Sequence, residues 1–415
     1  MTRIAFLSPF RVRGFAFQWP ADLLTNCGIE MEILMLGWFI LTETKSVLLL
    51  TVFAALRYLG TLIAPLFGMA GDKYGHRRML CAMRASYALA AAAMTVLTFM
   101  GQLGPVPIFI AATFAGLVRP SDLAMRNALI AAIMPNDQLM SAMGAAGTTS
   151  DCSRILGPLA GAAVIAVLGM GPAYAIIAVC YAVAVALTAM GGQGLAHRRV
   201  AGIGEASFLR EVGEGMRYVW QMPCLHAGMW IAMLVNATVI PLTGGLMPYI
   251  ARDVYHLERF GLGCLLACFS FGALCGSIAV GMLGGRLPAA RTFILAVLVW
   301  STMVLIYIFM PGPVSAGAVL VLAGIAQNFC QVPLFAMLLR VAGERFRGRV
   351  MGVRMMAIYG LPMGLLAAGW LIERVGFRPM AIGYCVLCFL ATLGIGFWWR
   401  DALWPAGAIG NARGR

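Results

Sequence analysis

Apolar runs of a single length class dominate this chain and leave few folds open to it. Broken by polar residues or by Gly/Pro punctuation, they fall at 15–41, 46–70, 79–101, 106–132, 139–168, 173–190, 223–248, 261–283, 292–310, 314–340, 350–371 and 380–399. A helix needs about 20 mostly apolar residues to cross a bilayer. In lipid, a helix also satisfies every backbone donor and acceptor within its own segment. Twelve such runs therefore predict an all-α membrane protein with twelve transmembrane helices. Composition agrees, because only 11% of the 415 residues are charged, against about 25% in a soluble domain.

The formal charge of +14 would suggest a nucleic-acid partner in a soluble protein. Here the basic residues sit between the apolar runs, and nearly all are arginines. With the N-terminus in the cytosol, the inner segments hold nineteen Lys/Arg, beginning with Arg3, Arg11 and Arg13. The outer segments hold five: Lys45, Arg252, Arg259, Arg374 and Arg378. This asymmetry predicts an even span count, both termini inside, and no nucleic-acid partner. No cleavable signal is expected, since the first run is too long and no small-residue cleavage site follows it.

The runs divide six and six. The expected organisation is a six-helix bundle over 1–190, a cytosolic linker over 191–222, a second six-helix bundle over 223–400 and a cytosolic tail over 401–415. Within the linker, Phe208–Gln221 alternates apolar and charged residues at helical spacing, which predicts an amphipathic helix on the inner membrane surface. Gly68-Met69-Ala70-Gly71-Asp72-Lys73 ends the second run, and Gly281-Met282-Leu283-Gly284-Gly285-Arg286 ends the eighth. A match six spans apart points to a duplicated unit and two pseudo-symmetric bundles.

The first inner hairpin continues as Tyr74-Gly75-His76-Arg77-Arg78. Gly75 suits a tight turn, Asp72 can face a helix N-terminus or an arginine, and the bases hold the loop at the inner surface. The ordered G-x-x-x-D-K-x-G resembles the loop 2–3 signature of the major facilitator superfamily. Within it the chain is similar to the enterobactin-exporter-like branch of bacterial efflux proteins. The supporting stretches are Asn26-Cys27-Gly28, Gly37-Trp38, Arg154-Ile155-Leu156-Gly157-Pro158, Met247-Pro248-Tyr249-Ile250-Ala251-Arg252-Asp253-Val254 and Phe346-Arg347-Gly348-Arg349-Val350-Met351. Ile29 stands where the branch carries an acid, with Glu30 and Glu32 just beyond, and Gly285 replaces the acid in the second loop copy. The resemblance implies the major facilitator fold, with a cavity lined by the first, fourth, seventh and tenth helices. It also implies alternating access for a small organic solute moved outward, with protons as counter-ion. Gly68, Asp72, Lys73, Gly75, Arg77 and Arg78 would then form a conformational latch.

Charges inside the runs make a separate argument. Glu30, Glu32, Arg57, Arg119, Asp151 and Arg154 lie at or beside span centres. Each costs roughly 2.5–3.5 kcal/mol if lipid faces it, so six would cost on the order of 15–20 kcal/mol. That exceeds a typical folding stability of about 5–15 kcal/mol. They must point inward, paired or lining a wet cavity. Arg119, Asp122 and Arg126 form one stripe on span four, with Asp122 in reach of either arginine, and Asp151 and Arg154 are spaced as an ion pair. Glu30 and Glu32 point to opposite sides of span one, so one at most faces the cavity fully. An acid held by an arginine stays ionised, and one left in apolar surroundings binds its proton nearer neutral pH.

Span one carries no arginine, so Glu30 or Glu32 is the expected proton carrier, with Asp122 and Asp151 as further coupling candidates. Arg57, Arg119, Arg126 and Arg154 are expected at the cavity. So are the amides Asn236, Gln327, Asn328 and Gln331 of the second half. Spans three, six, nine and twelve carry almost nothing polar at mid-depth. The G-x-x-x-G pairs Gly157/Gly161, Gly272/Gly276 and Gly360/Gly364 allow close helix approach, and their helices are expected to border the opposite half and slide past it.

No catalytic constellation is present. His76, His197, His226 and His256 are dispersed without metal-ligand spacing, and no G-x-x-x-x-G-K-[ST] loop exists for ATP. Cys385 and Cys388, a C-x-x-C, lie within an apolar run and read as buried thiols. The expectation is a monomeric, non-enzymatic efflux carrier in the bacterial inner membrane, without cofactor or metal. Its partners are a small amphipathic solute (siderophore- or drug-like, leaning anionic or catecholate-like), protons and lipid. Proton-coupled uptake and a non-transporting sensor or assembly role are the alternatives.

Overall fold

The computed structural model describes residues 8–61, 67, 70–71, 73–191, 205–283, 288–342 and 347–400. Among them the structure is helical, with no strand. Six helices come first: α1 (Arg13–Thr44), α2 (Val47–Leu56), α3 (His76–Phe99), α4 (Pro105–Ile133), α5 (Asn136–Leu168) and α6 (Met170–Met190). An amphipathic linker helix, Glu205–Gln221, precedes α7 (Pro223–Thr243), α8 (Arg259–Leu283), α9 (Ala289–Ile308) and α10 (Pro313–Val341). Next comes α11, which runs as Arg347–Ala357 and Gly360–Val375 around a break at Ile358 and Tyr359, and then α12 (Phe377–Trp398). Eleven helices among the described residues are long and apolar enough to cross a membrane. The second run supplies the shorter apolar stretch Val47–Thr61, and residues 62–66 of that run lie outside the described ones. This is an all-α membrane protein, consistent with twelve spans.

The chain forms two compact units. The first contains α1–α6 together with Pro248–Ala267; the second contains the linker helix, α7, the remainder of α8 and α9–α12. In the first, α1 packs on α5 and α6, and α3 packs on α6 and α4. In the second, α9 packs on α10 and α12, and α7 packs on α11 and α12.

Within each unit the same punctuation recurs six helices apart. Pro105 opens α4 after Gly104, and Pro313 opens α10 after Gly312. Proline suits a first helical turn, where its missing N–H is not needed. The α5–α6 corner is the single residue Gly169 at φ 81°, and the α11–α12 corner is Gly376 at φ 86°. Both need the left-handed region that glycine enters without cost.

The glycine contacts repeat too. A methyl at Gly116 on α4 would strike the Leu56 carbonyl of α2, and one at Gly324 on α10 would strike the Phe269 carbonyl of α8. Gly157 and Gly161 lie on Cys27, Glu30 and Met31 of α1, while Gly360 and Gly364 lie on Met233, Asn236 and Ala237 of α7. Gly272 and Gly276 lie on Val321, Ile325 and Asn328 of α10. All three G-x-x-x-G pairs therefore seat a helix of their own unit. The missing side chains let backbones touch inside each bundle.

Candidate functional site

The first unit encloses a half-open cavity lined by five of its helices. α1 supplies Ile29, Glu32, Ile33 and Leu36; α2 supplies Phe53 and Arg57; α3 and α6 supply Tyr87 and Tyr181. Opposite them α4 presents Ala111, Ala112 and Ala115, whose small side chains leave the space open, and then Arg119. The void measures about 40 Å³, enough for two or three waters at roughly 10–15 Å³ each. Arg57 sits where α2 stops: the helix ends at Leu56, and a tight turn follows at Leu59–Thr61. An interrupted helix at membrane depth is tolerated where it lines a polar cavity.

The two glutamates have different partners. Glu30 Oε1 takes a charge-assisted bond from Arg119 Nη2 at 3.1 Å, with both side chains partly exposed. Its Cβ faces Gly157 of α5. Glu32, two residues on, turns the other way and lines the cavity, where Tyr181 donates its hydroxyl to Oε2 at 3.4 Å. Neither Glu32 nor Arg57 has an ion-pair partner within bonding distance among the described residues.

A second charged layer lies farther along the same helices. Asp22 and Arg84 form an ion pair at 3% and 0% side-chain exposure. Arg84 also donates to Thr188 of α6, and Gln18 donates to Asp22 at 2.6 Å. Asp122 and Arg126 of α4 are buried in the same layer. Sequence reasoning missed Asp22 and Arg84 because it searched span centres. The signal was available as a third acid in the first apolar run and a lone base in the third.

The remaining predicted residues fall as follows. Asp122 pairs with neither Arg119, which holds Glu30, nor Arg126, which reaches Ser150 of α5 at 3.3 Å. The Asp151–Arg154 pair does not form among the described contacts, and Arg154 is exposed. In the second unit Asn236 donates to the Ala232 carbonyl, and Asn328 donates to the Ala273 carbonyl of α8. Gln331 accepts from Arg354 at 3.0 Å, and Gln327 is half-buried on the same helix. Arg354, which lies over the Phe335 ring at 3.5 Å, is a second intramembrane cation that the search of span centres passed over. Of the loop signature, Gly68 and Asp72 lie outside the described residues. Gly75 adopts φ 95° and caps α3, Lys73 lies over the Tyr74 ring, and Arg77 and Arg78 occupy the first turn of α3. No group of three His, Cys, Asp or Glu among the described residues could hold a metal ion.

Fold and site together define a multi-pass helical membrane protein with a charged cavity inside its first bundle. The chain belongs to the Major Facilitator Superfamily, whose profile matches residues 5–363 and again 229–409. It is 26% identical over 381 residues to the multidrug efflux pump Tap of Mycobacterium tuberculosis (strain ATCC 25618 / H37Rv), covering 89% of this chain and 90% of that one. It is 24% identical over 268 residues to macrolide efflux protein A of Streptococcus pyogenes, covering 63% and 64%. The D323A mutant of the nucleoside transporter NupG superposes with a TM-score of 0.76 at 11% identity, over 92% of this chain and 99% of that one. The protein is a membrane transporter and not an enzyme.

Proposed function

We propose that the chain exports a small amphipathic solute, drug- or siderophore-like, across the bacterial inner membrane by alternating access, in exchange for protons. Both efflux relatives support the outward direction. The unequal treatment of the two glutamates carries the coupling. Glu30 is paired with Arg119, whereas Glu32 accepts a bond from the Tyr181 hydroxyl and makes no ion pair among the described residues. A buried carboxyl without a bonded counter-charge exchanges its proton more readily within a working pH range than one held in an ion pair. A solute that donates a hydroxyl or amine to ionised Glu32 competes with the proton for the same oxygens, and such competition is what exchange requires. Arg57, without an acid of its own, suits the acceptor or acidic edge of the same molecule. Phe53, Tyr87 and Tyr181, which line the void, offer aromatic faces to its apolar part once the cavity widens.

The test is accumulation of radiolabelled erythromycin and of a lipophilic fluorescent dye in cells, with and without a protonophore. Glu32→Gln should abolish the protonophore-sensitive part of efflux, as loss of a positioned proton-transfer group costs ~10²–10⁴ in rate. Glu30→Gln should weaken it less. If neither substitution nor uncoupling alters accumulation of either probe, proton exchange at Glu32 is wrong.

A further inference from the structure

Arg354, in the first segment of α11, is an intramembrane cation without an acid to hold it. It makes no ion pair among the described residues. Helices α7–α12 contain one acid, Glu373, which lies about 28 Å farther along α11 at 1.5 Å per residue. A charge at membrane depth either meets a partner or extends its head toward the surface. Arg354 does not extend that way. Its backbone lies about 10 Å in from the end where α10 and α11 join, and that of Gln331 about 15 Å in. The guanidinium goes to Gln331, donating from Nη2 to Oε1 at 3.0 Å. The head therefore points into the bundle. Its carbon lies 3.5 Å from the centroid of the Phe335 ring, a stack that fixes the plane and leaves the N–H edges open. Nε is buried and has no hydrogen-bond partner. Buried polar atoms are nearly always paired, so this one requires an explanation.

We infer that Arg354, Gln331 and Phe335 form a subsite in the second bundle for a carboxylate group of the exported solute. The two oxygens of a carboxylate match the planar guanidinium fork, which binds them through parallel charge-assisted bonds. Gln331 and Phe335 hold the fork in place. Gln327, half-buried one turn from Gln331 on α10, offers an amide donor to the same acid. Cys330, buried between the two glutamines in sequence, adds no charge of its own to the site. The inference rests on the proposed export and gives its solute an acidic group. An anionic lipid carries similar oxyanion chemistry, but its phosphate lies at the edge of the hydrocarbon layer, and the Arg354 head points away from that edge.

The test is equilibrium binding to full-length protein in detergent, read by fluorescence anisotropy with two dyes that differ in one group. Rhodamine 110 carries a free carboxylate, and rhodamine 123 is its methyl ester. Wild type should bind rhodamine 110 about tenfold more tightly than the ester, as hydrogen bonds to a charged group provide. Arg354→Gln should bring rhodamine 110 to the affinity of the ester and leave the ester unchanged. Arg354→Lys keeps the charge and loses the fork. It should retain a preference of about two- to threefold, and it decides the matter if the glutamine variant does not fold. Wild type that binds the two dyes equally, or binds neither, overturns the subsite. So does a preference left whole in either variant. A preference that added dioleoylphosphatidylglycerol abolishes also overturns it and gives the site to a lipid. Export is read separately, as protonophore-sensitive efflux of rhodamine 123 from cells. Its absence in wild type counts against export, and the binding preference still decides the subsite.

Discussion

At the residue scale, Asp22–Arg84 is the more deeply buried of the two ion pairs among the described residues of the first unit. Both side chains are all but sealed, and Gln18 and Thr188 take up further hydrogen-bonding capacity. Removing one partner of a buried pair leaves an uncompensated charge and costs about 3–5 kcal/mol, while replacing both with apolar groups of similar volume is often neutral. Asp22→Asn and Arg84→Met should therefore each lower the melting temperature of detergent-purified protein and reduce its membrane yield. The double variant Asp22→Leu/Arg84→Met should recover most of both. A double variant as damaged as the worse single would show that the pair does more than neutralise itself. The pair also shows what single-residue reading can reach. Glu30, Glu32, Arg57 and Arg119 were legible because they stand at span centres, where a charge has no other explanation. Which glutamate meets Arg119 was not, because that depends on how α1 is rotated against α4 and α5, and Gly157 beneath the Glu30 stem helps to set that rotation.

At the element scale, span positions were readable almost throughout, since lipid enforces one length and one polarity on every crossing. Helix partners were not. A spanning helix is as apolar toward lipid as toward its neighbours, so its outer pattern does not name the face that packs. G-x-x-x-G announces that something comes close without saying what. The repeated Gly-Pro openings of α4 and α10 and the corner glycines at 169 and 376 were open to view, and they mark the six-helix repeat better than the loop match did. Gly364→Ala would drive a methyl into the Ala237 carbonyl of α7, and Gly272→Ala would drive one into the Val321 carbonyl of α10. Backbone cannot yield as a side-chain tip can, so each should cost about 1–3 kcal/mol and reduce the fraction of monodisperse protein on size-exclusion chromatography. Gly383→Ala and Gly394→Ala on α12, with nothing within 4 Å, are the controls and should behave as wild type. Loss of folded protein in the controls as well would mean that α12, not backbone contact, governs the yield.

At the scale of the whole molecule, ionic and neutral polar chemistry are divided between the units. The first buries Asp22, Asp122, Arg84 and Arg126 and lines its cavity with Glu32, Arg57 and Arg119. The second has no buried carboxylate among the described residues, and offers amides on α7 and α10 with Arg354 beside them. A carrier that couples a proton to a solute needs one group whose charge changes and others whose charge does not. Amides are the natural second kind, because they recognise donors and acceptors alike at every physiological pH. Asn236→Ala and Gln327→Ala should therefore shift the apparent KM for efflux of an exported probe while the response to a protonophore stays wild type. One hydrogen bond of about 0.5–1.5 kcal/mol corresponds to roughly two- to tenfold. Glu32→Gln should do the reverse, losing the protonophore response at every solute concentration. The measurement is the concentration dependence of efflux from preloaded cells, with and without the protonophore. Amide variants that lose the protonophore response, or that leave KM unmoved, would place solute recognition and proton exchange in the same residues and end the division.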